Sequence, residues 1–171
     1  MKTGMCDLLS ITEKRGNSII QKALLSTGKD DWETPQNFFD RLNEEFHFTL
    51  DPCSTAQNAK CAKYYTPAED GLKQPWRGET VFCNPPYSKQ GGQDAFVEKC
   101  YKEAQNPGTT CVALLPARTD TARFHNYILG KAEIRFVRGR LRFGGKDPAP
   151  FPSMVCVWKK GIQPAVKGIT S

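Results

Sequence analysis

The chain has 171 residues, of which 39% are hydrophobic and 25% are charged, and this composition is typical of one soluble globular domain with its own core. It has no run of about 20 apolar residues that could span a bilayer, and its first residues lack the apolar segment and cleavage site of a signal peptide. The sequence therefore argues against general disorder, a membrane span and secretion, and we expect a cytoplasmic protein.

The seven cysteines fit that compartment. Their number is odd and no two form a C-x-x-C pair, which argues against a disulfide framework and against a zinc ribbon. Cys53, Cys61 and Cys83 could in principle meet at a metal with His47 or His125, but nothing in their spacing asks for one. We expect buried packing for these thiols and no metal site.

The net charge of +6 is concentrated in the C-terminal part of the chain. From Arg118 onward there are 11 Lys and Arg against 3 Asp and Glu, a balance of +8, which leaves −2 for residues 1–117. A basic face suits a phosphate backbone, because each neutralised phosphate releases condensed counterions. Charge alone leaves open the alternative of a merely soluble basic surface.

The N-terminal part of the chain predicts an arm followed by a helix. Residues 1–30 have a weak pattern, with SIIQKALLS as a short helix candidate, and we expect an arm or tail there. At Thr34-Pro35 a helix is predicted to start, with Thr34 as its N-cap and Pro35 as its first residue. Apolar residues then recur at every fourth position, which predicts a core-facing stripe (Phe38, Leu42, Phe46).

Two short strands are predicted next, and both stop at a polar residue followed by proline. FHFTL, residues 46–50, stops at Asp51-Pro52, and TVFC, residues 80–83, stops at Asn84-Pro85. A helix is predicted for residues 94–104, from its apolar periodicity.

The second half of the chain predicts a central strand and then antiparallel strands. TTCVALLP, residues 109–116, is the most apolar run and is typical of a strand buried on both faces. A polar helix is predicted for residues 120–129, followed by strands in 133–143 and 153–158 with glycine breaks between them.

This order of elements predicts an α/β domain over residues 31–160, with a mostly parallel twisted sheet flanked by helices, a C-terminal antiparallel hairpin, and a tail at 161–171. Ligands of such sheets bind at the carboxyl ends of the strands, where Asp51 and Asn84 would lie.

The tetrad Asn84-Pro85-Pro86-Tyr87 resembles the [DNS]PP[YFW] signature of amino methyltransferases that use S-adenosyl-L-methionine. The segments DWETPQ, LDPCSTAQNAKCAKYYT, EDGL, FCNPPYS, LLPARTDTARFH, GRLRF and PFPSMVCVW are similar to the phage-type DNA N6-adenine methyltransferase (Dam) family over residues 31–159. The resemblance implies a Rossmann-like class I methyltransferase fold, S-adenosyl-L-methionine as cofactor, and methyl transfer to the N6 amine of adenine in DNA. If a phage encodes the chain, the expected compartment is the bacterial host cytoplasm.

The chemistry explains why such a tetrad would be rigid. The exocyclic amine of adenine is a poor nucleophile, because its lone pair is delocalised into the ring. Two hydrogen-bond acceptors in fixed positions would bias the amine toward a tetrahedral geometry, with its lone pair directed at the methyl group. The Asn84 side-chain oxygen and the Pro85 carbonyl oxygen would each accept a hydrogen bond from the adenine amine, and Pro86 would stiffen the turn. The Tyr87 ring would stack on a base taken out of the duplex. The structural alternative is that the prolines only end a strand and that Tyr87 is a core aromatic.

The same resemblance implies the cofactor contacts. Thr34 and Pro35 would hold the methionine moiety, where a helix N-terminus suits a carboxylate. Asp51, with Pro52 beside it, would face the methionine amino group, and Asp70 of EDGL would accept a hydrogen bond from the adenine amine of the cofactor. As bare sequence features, both acids are also compatible with ordinary turn residues.

The ribose contact departs from the wider superfamily pattern. After LDPC there is no glycine-rich F-x-G-x-G loop, and the acidic residue that usually binds the ribose has no clear counterpart. Asn58, with Tyr64 or Tyr65, is a candidate for this contact by resemblance to the family's own pattern.

Target binding is assigned to the basic C-terminal part, with double-stranded DNA as the expected partner. Short loops, including residues 88–93 and 144–151, would supply the specificity. Two alternatives stay open: a methyltransferase for RNA adenine or a protein glutamine amide, and an inactive nucleic-acid-binding module on the same fold. The residues expected near phosphates are Arg118, Arg123, Arg138, Arg140 and Arg142. Phe143 is expected near the flipped base.

Overall fold

A computed structural model describes residues 32–87, 92–145 and 147–171, which form one seven-stranded sheet with helices on both faces. The predicted arm at residues 1–30, its helix candidate, and part of the 88–93 loop lie outside the described residues. The helices are α1 (Gln36–Phe46) and α2 (Gln93–Glu103), with a π-helical turn at Phe124–Ile128 and a 3₁₀ turn at Phe143–Gly145. The strands are β1 (Leu50–Asp51), β2 (Lys63–Tyr64), β3 (Thr80–Cys83), β4 (Thr110–Pro116), β5 (Glu133–Arg138), β6 (Ser153–Lys159) and β7 (Ala165–Thr170).

The strand order is β2-β1-β3-β4-β6-β5-β7, and only β6 runs antiparallel to its neighbours. This confirms the predicted α/β fold with a mostly parallel sheet, and the predicted antiparallel pairing of β5 with β6. The sequence did not indicate that β6 enters the middle of the sheet, between β4 and β5. All but the last residue of β6 are buried, which suits a strand with a neighbour on each side.

Successive side chains of the central strands pack alternately into two hydrophobic cores, one on each face of the sheet. Val81 and Cys83 of β3 join the first core with Phe96 and Val97 of α2, whereas Phe82 points into the second core. This alternation is the two-residue period of a strand buried on both sides. Helix α1 covers the second core, as its predicted stripe required, through three buried side chains (Phe38, Phe39, Leu42).

The start of α1 differs from the prediction. Pro35 is the N-cap residue and the helix begins at Gln36, so Thr34 lies one position before the cap. The backbone amides of Phe38 and Phe39 donate to the Pro35 carbonyl, at 3.1 and 3.0 Å. The Thr34 side chain is therefore not needed at the helix end, and it contacts another element instead.

The end of α1 shortens the first strand. Phe46, predicted to begin a strand, is the last residue of the helix, because His47 adopts a left-handed conformation with φ 55°. The Asn43 carbonyl accepts from His47, and the Asn43 side chain accepts from the Phe48 amide at 2.8 Å. Only Leu50–Asp51 remains as strand.

Residues 161–171, predicted as a tail, contribute β7 to the sheet edge. This strand pairs in parallel with β5, from Glu133↔Ala165 to Arg138↔Thr170. Ile169 packs against the second core, and Arg41 of α1 donates to the Thr170 carbonyl at 3.0 Å. These contacts order a segment whose polar composition carries little strand signal.

The two remaining predicted elements end earlier than expected. The polar helix predicted for 120–129 is π-helical over Phe124–Ile128, and the strand predicted for 133–143 stops at Arg138, before Gly139 with its φ of 84°. None of the helices in the described ranges is long and apolar enough to cross a membrane.

Candidate active site

A cavity of about 510 Å³ opens at the carboxyl ends of β1 and β3. Its walls come from the residues before α1, the loop after β1, the turn around Gly71, the end of β3 with the residues after it, and the start of α2. The structure thus gathers five segments of the chain at one site, as expected for an α/β sheet. Most of the predicted methyl-transfer and cofactor residues line it: Thr34, Asp51, Pro52, Asn58, Asp70, Asn84, Pro85 and Pro86.

Asn84 follows β3 and has a fixed amide orientation. Its Nδ2 donates to the Trp32 carbonyl oxygen at 2.6 Å and to the Thr34 Oγ1 at 3.1 Å. Its Oδ1 is buried and has no hydrogen-bond partner in the described part of the chain. A buried acceptor without a partner costs about 1–3 kcal/mol, so such an atom in a cavity wall points to use by a ligand.

The diproline holds this acceptor against the sheet. Pro85 is buried and Pro86 is half-buried, and both follow β3, which lies between β1 and β4. Two consecutive fixed φ angles restrict the backbone that carries the Asn84 side chain and the Pro85 carbonyl. The predicted acceptor pair is therefore on a rigid part of the fold.

Tyr87 belongs to an aromatic cluster, which we define as Trp32, Tyr87, Phe143 and Phe151. The ring of Tyr87 stacks on Trp32 at 6.2 Å between centroids and meets Phe143 and Phe151 edge-on, at 6.3 and 5.4 Å. Burial raises the pKa of Tyr87 above its usual value. Tyr87 is half-buried and other aromatic rings already contact it, so the stacking of a flipped base on this ring stays a prediction.

Asp51 ends β1 as a buried carboxylate, only 4% exposed. Its two oxygens accept from the backbone amides of Cys53, at 3.4 Å, and of Lys60, at 3.1 Å. Burial raises the pKa of Asp51, and the two backbone hydrogen bonds oppose that shift. The residue combines a fixed position with a charge that a cationic group would stabilise.

Lys60 is a wall residue that we did not predict. Its side chain is 9% exposed, and its Nζ contacts Glu33 Oε1 at 3.3 Å and Gln36 Oε1 at 3.1 Å. The Gln36 contact places this ammonium group beside the first turn of α1. Its signal in the sequence was its place in the segment NAKCAKYYT, which we used for the ribose contact alone.

Asp70 also lines the cavity, in a turn with φ 53°. Its carboxylate accepts from the Leu72 amide at 3.3 Å and pairs with Lys73 at 2.9 Å, and Lys73 lowers its pKa. The backbone of the next residue, Gly71, packs directly on the Pro52 carbonyl, where a Cβ would lie 1.9 Å from the oxygen. Glycine in EDGL is thus required for this wall to meet the loop after β1.

Asn58 closes the loop that replaces the absent glycine-rich motif. Its Oδ1 accepts from the Thr55 backbone amide at 2.7 Å and from the Thr55 hydroxyl at 3.1 Å. Asn58 lines the cavity, but this oxygen is used within the turn. Tyr64 and Tyr65 are not among the described wall residues, and Tyr65 packs against the first core.

Two thiols lie beside the cavity without forming a metal site. The sulfur atoms of Cys53 and Cys83 are 3.7 Å apart, and burial raises the pKa of both groups. Neutral thiols are poor metal ligands and poor nucleophiles. In the ranges that the structure describes, no group of three or more His, Cys, Asp or Glu could hold a metal ion.

The predicted DNA-contacting arginines fall into two groups. Arg123 pairs with Asp94 at 2.6 Å and is 12% exposed, so its charge is already partnered. Arg118 and Arg138 are exposed at the carboxyl ends of β4 and β5, the edge that carries Asn84, and Arg140 and Arg142 are exposed just beyond β5. Phe143, predicted near the flipped base, is buried in the aromatic cluster.

The chain is similar in sequence to two curated phage proteins named DNA N-6-adenine-methyltransferase. One, from Escherichia phage T1, is 28% identical over 143 residues, which is 82% of this chain and 56% of the relative. The other, from Haemophilus phage HP1, is 30% identical over 111 residues, which is 64% of this chain and 62% of the relative. The chain therefore spans less than two thirds of the length of either relative.

A solved structure shares the fold. It is described as a modification subunit of a type I restriction enzyme from Vibrio vulnificus YJ016, and it superimposes with a TM-score of 0.52 at 12% sequence identity. The likeness covers 100% of this chain and 54% of that subunit. The profile of the family DNA N-6-adenine-methyltransferase (Dam) matches residues 21–166, which is most of the chain. The chain belongs to this Dam family.

Proposed function

We propose that this protein is an adenine-specific DNA methyltransferase, which transfers a methyl group from S-adenosyl-L-methionine to the exocyclic N6 amine of adenine. The observation that carries the proposal is the Asn84 Oδ1, a buried acceptor without a described partner in the wall of a cavity. Family membership and the names of the two phage relatives support the same activity.

The cavity fits the proposed cofactor in size and charge. Its volume of about 510 Å³ lies in the range of small-molecule sites. The buried Asp51 carboxylate suits the cofactor ammonium group, and Lys60, beside the N-terminus of α1, suits its carboxylate. When bound, S-adenosyl-L-methionine would supply an electrophilic methyl group on its sulfonium sulfur.

The remaining contacts follow the walls of the cavity. Asp70, which lines the same cavity as Asp51, would accept a hydrogen bond from the adenine amine of the cofactor. Pro52 and Asn58 would contact the cofactor from the loop after β1, with Asn58 near the ribose. Pro35, the N-cap of α1, would act through the helix end.

The protein's own contribution to the reaction is positioning. The Asn84 Oδ1 and the Pro85 carbonyl oxygen each accept a hydrogen bond from one N–H of the target amine, which turns its lone pair toward the methyl group. The stiffness contributed by Pro86 keeps the two acceptors from relaxing. The aromatic cluster beside them excludes water, and its half-buried Tyr87 ring, with Phe143 packed against it, would stack on the base.

The target base would reach this site only outside the duplex. Asn84 is half-buried in the cavity wall, so the base must leave its stack to approach the acceptor. The exposed arginines at the same edge of the sheet, among them Arg118, Arg138 and Arg140, would contact the phosphates of double-stranded DNA. If a phage encodes the chain, as phages encode the two relatives, the site of action would be the cytoplasm of the bacterial host.

The alternatives are weaker on the same observations. RNA adenines and glutamine amides also carry a planar NH₂ group. The basic C-terminal surface favours nucleic acid over protein, and the family match and the names of the phage relatives favour DNA over RNA. An inactive binding module has no use for an intact acceptor pair beside a cavity of this size.

Incubation with tritiated S-adenosyl-L-methionine and unmethylated DNA, followed by nucleoside analysis, tests the proposal. We expect label in N6-methyldeoxyadenosine, and a loss of about 100- to 1,000-fold in kcat for Asn84→Ala with cofactor binding retained. The matched control is Asn126→Ala, at an exposed asparagine outside the cavity. Label found only in RNA or protein would show that DNA is not the substrate. An unchanged rate for Asn84→Ala would contradict the acceptor mechanism.

A further inference from the structure

We propose that the Trp32 carbonyl and the Thr34 hydroxyl are positioning groups that lock the Asn84 amide with its oxygen toward the substrate amine. We call these two groups and the Asn84 amide the amide lock. The inference rests on the proposed function, and it assigns roles to residues other than the tetrad. It also predicts that this site needs asparagine at position 84, although the wider signature accepts aspartate.

The contacts determine which way the amide faces. Trp32 offers a carbonyl oxygen, which can only accept, at 2.6 Å from Nδ2. A flipped amide would place Oδ1 there, with two acceptors facing each other and no proton between them. Thr34 Oγ1, at 3.1 Å, accepts the second amide proton, so both Nδ2 hydrogens are used and neither competes for the substrate.

The lock matters because the free oxygen would otherwise turn away. Rotation of a buried, unpartnered acceptor toward any donor lowers the free energy, and Asn84 Oδ1 is such an acceptor. Two donated hydrogen bonds oppose that rotation in a site where Thr34 is 3% exposed and solvent competes little. The acceptor is thus aimed before the substrate arrives, which is the requirement for electrostatic preorganisation.

The lock is built between elements that pack firmly on each other. Thr34 lies before α1, whose Phe39 packs edge-on against Phe82 of β3 at 5.0 Å. Glu33 accepts a hydrogen bond from the Gly144 amide at 3.2 Å, which ties the same segment to the turn that carries Phe143. Asn84 and Thr34 are 50 residues apart in sequence, so this packing sets their contact.

The geometry excludes an ionised aspartate at position 84. A carboxylate there has no proton to share with the Trp32 carbonyl, so one oxygen would face that carbonyl at hydrogen-bond distance. The result is either repulsion or rotation of the side chain, and both remove the aimed acceptor.

The test compares Thr34→Val with Thr34→Ser. Valine has the shape of threonine without the acceptor, and serine keeps the hydroxyl. We expect Thr34→Val to lower kcat about three- to tenfold at saturating cofactor, whatever change in the cofactor Kd follows from the predicted methionine contact of Thr34, and Thr34→Ser to restore the rate. Asn84→Asp should lose about a hundredfold or more in kcat. A raised cofactor Kd with an unchanged kcat in Thr34→Val, or a fully active Asn84→Asp, would overturn the lock.

A second measurement does not depend on activity. In ¹H–¹⁵N spectra of the whole chain, the Asn84 side-chain amide protons, assigned by their loss in Asn84→Ala, should exchange slowly with solvent. Exchange should accelerate in Thr34→Val and stay slow in Thr34→Ser. Fast exchange in the wild-type protein would overturn the lock even if it methylates DNA, and slow exchange in a protein inactive on DNA would keep the lock and reject the proposed function.

Discussion

The backbone of Gly71 packs on the carbonyl oxygen of Pro52, and a Cβ at position 71 would lie 1.9 Å from that oxygen. This contact joins the EDGL turn to the loop after β1, and both segments line the cavity. No real Cβ tolerates such a distance, so one of the two backbones must move to admit any side chain.

Gly71→Ala should therefore destabilise the fold and weaken cofactor binding together. Overpacking typically costs about 1–3 kcal/mol, and the displaced walls carry Asp51 and Asp70. Thermal unfolding and calorimetric titration with the cofactor measure the two effects. Gly168→Ala is the matched control, because a Cβ at position 168 meets nothing within 4 Å. Equal thermal stability and equal cofactor affinity of the two variants would contradict the requirement for glycine at position 71.

Asp51 should make cofactor affinity and stability depend on pH in opposite directions. Its pKa is raised from 3.8 by burial, so the folded state binds this proton more tightly than the unfolded state. Its contribution to the free energy of unfolding is therefore present at low pH and is lost as pH rises from about 3.8 through the raised pKa. An ammonium group favours the ionised form, so cofactor affinity should fall as pH drops through that range.

Asp51→Asn is the corresponding test. The variant should bind the cofactor more weakly at neutral pH, and its affinity should lack the acid-side fall of the wild-type protein. Titration calorimetry at a series of pH values measures both properties. A wild-type affinity that is constant through this range would show that Asp51 does not face the ammonium group.

Exposed Arg138 should contribute to DNA binding more than Arg123, which is paired with Asp94. Arg138→Ala should weaken binding about uniformly across sequences and reduce the salt slope of log K by about one. Arg123→Ala removes the same charge, but its guanidinium pairs with Asp94 at 2.6 Å, and we expect a smaller change in the slope. Fluorescence anisotropy at several salt concentrations compares the two. The opposite ranking would place the DNA on the Asp94 side.

Tyr87 should act through its ring and not through its hydroxyl. The hydroxyl is buried without a described partner, and Tyr87 is not among the described wall residues of the cavity, in contrast to Asn84. Tyr87→Phe should therefore keep its activity and stability, because it removes only an unpaired polar group. Tyr87→Ala should lose stacking of about 1–3 kcal/mol in binding a flipped base.

A 2-aminopurine substituted at the target position reports the base leaving its stack, by an increase in fluorescence. The increase should survive Tyr87→Phe and diminish in Tyr87→Ala. A strong loss in Tyr87→Phe would show that the hydroxyl contacts the substrate after all.

Local patterns were sufficient for the elements that bear the acceptor. TVFC corresponds to β3 without a change of boundary, and TTCVALLP to β4 within one residue, because each is an apolar run ended by a proline. The same patterns were insufficient for Thr34. Its position before a proline is typical of a helix cap, but the structure uses its hydroxyl as an acceptor for Asn84.

The sequence by itself determined the strand-and-helix order, the tetrad at a strand end, the acidic residue after the first strand and the basic C-terminal part. These are properties of neighbouring residues, which periodicity, proline stops and charge counts report directly. Only the tertiary structure decided that β6 enters the middle of the sheet, that β7 adds an edge, that Trp32 and Lys60 meet the site, and that Thr34 accepts a hydrogen bond from Asn84. Those contacts join residues far apart in the chain, and they form because burying both faces of the sheet selects one arrangement of the strands.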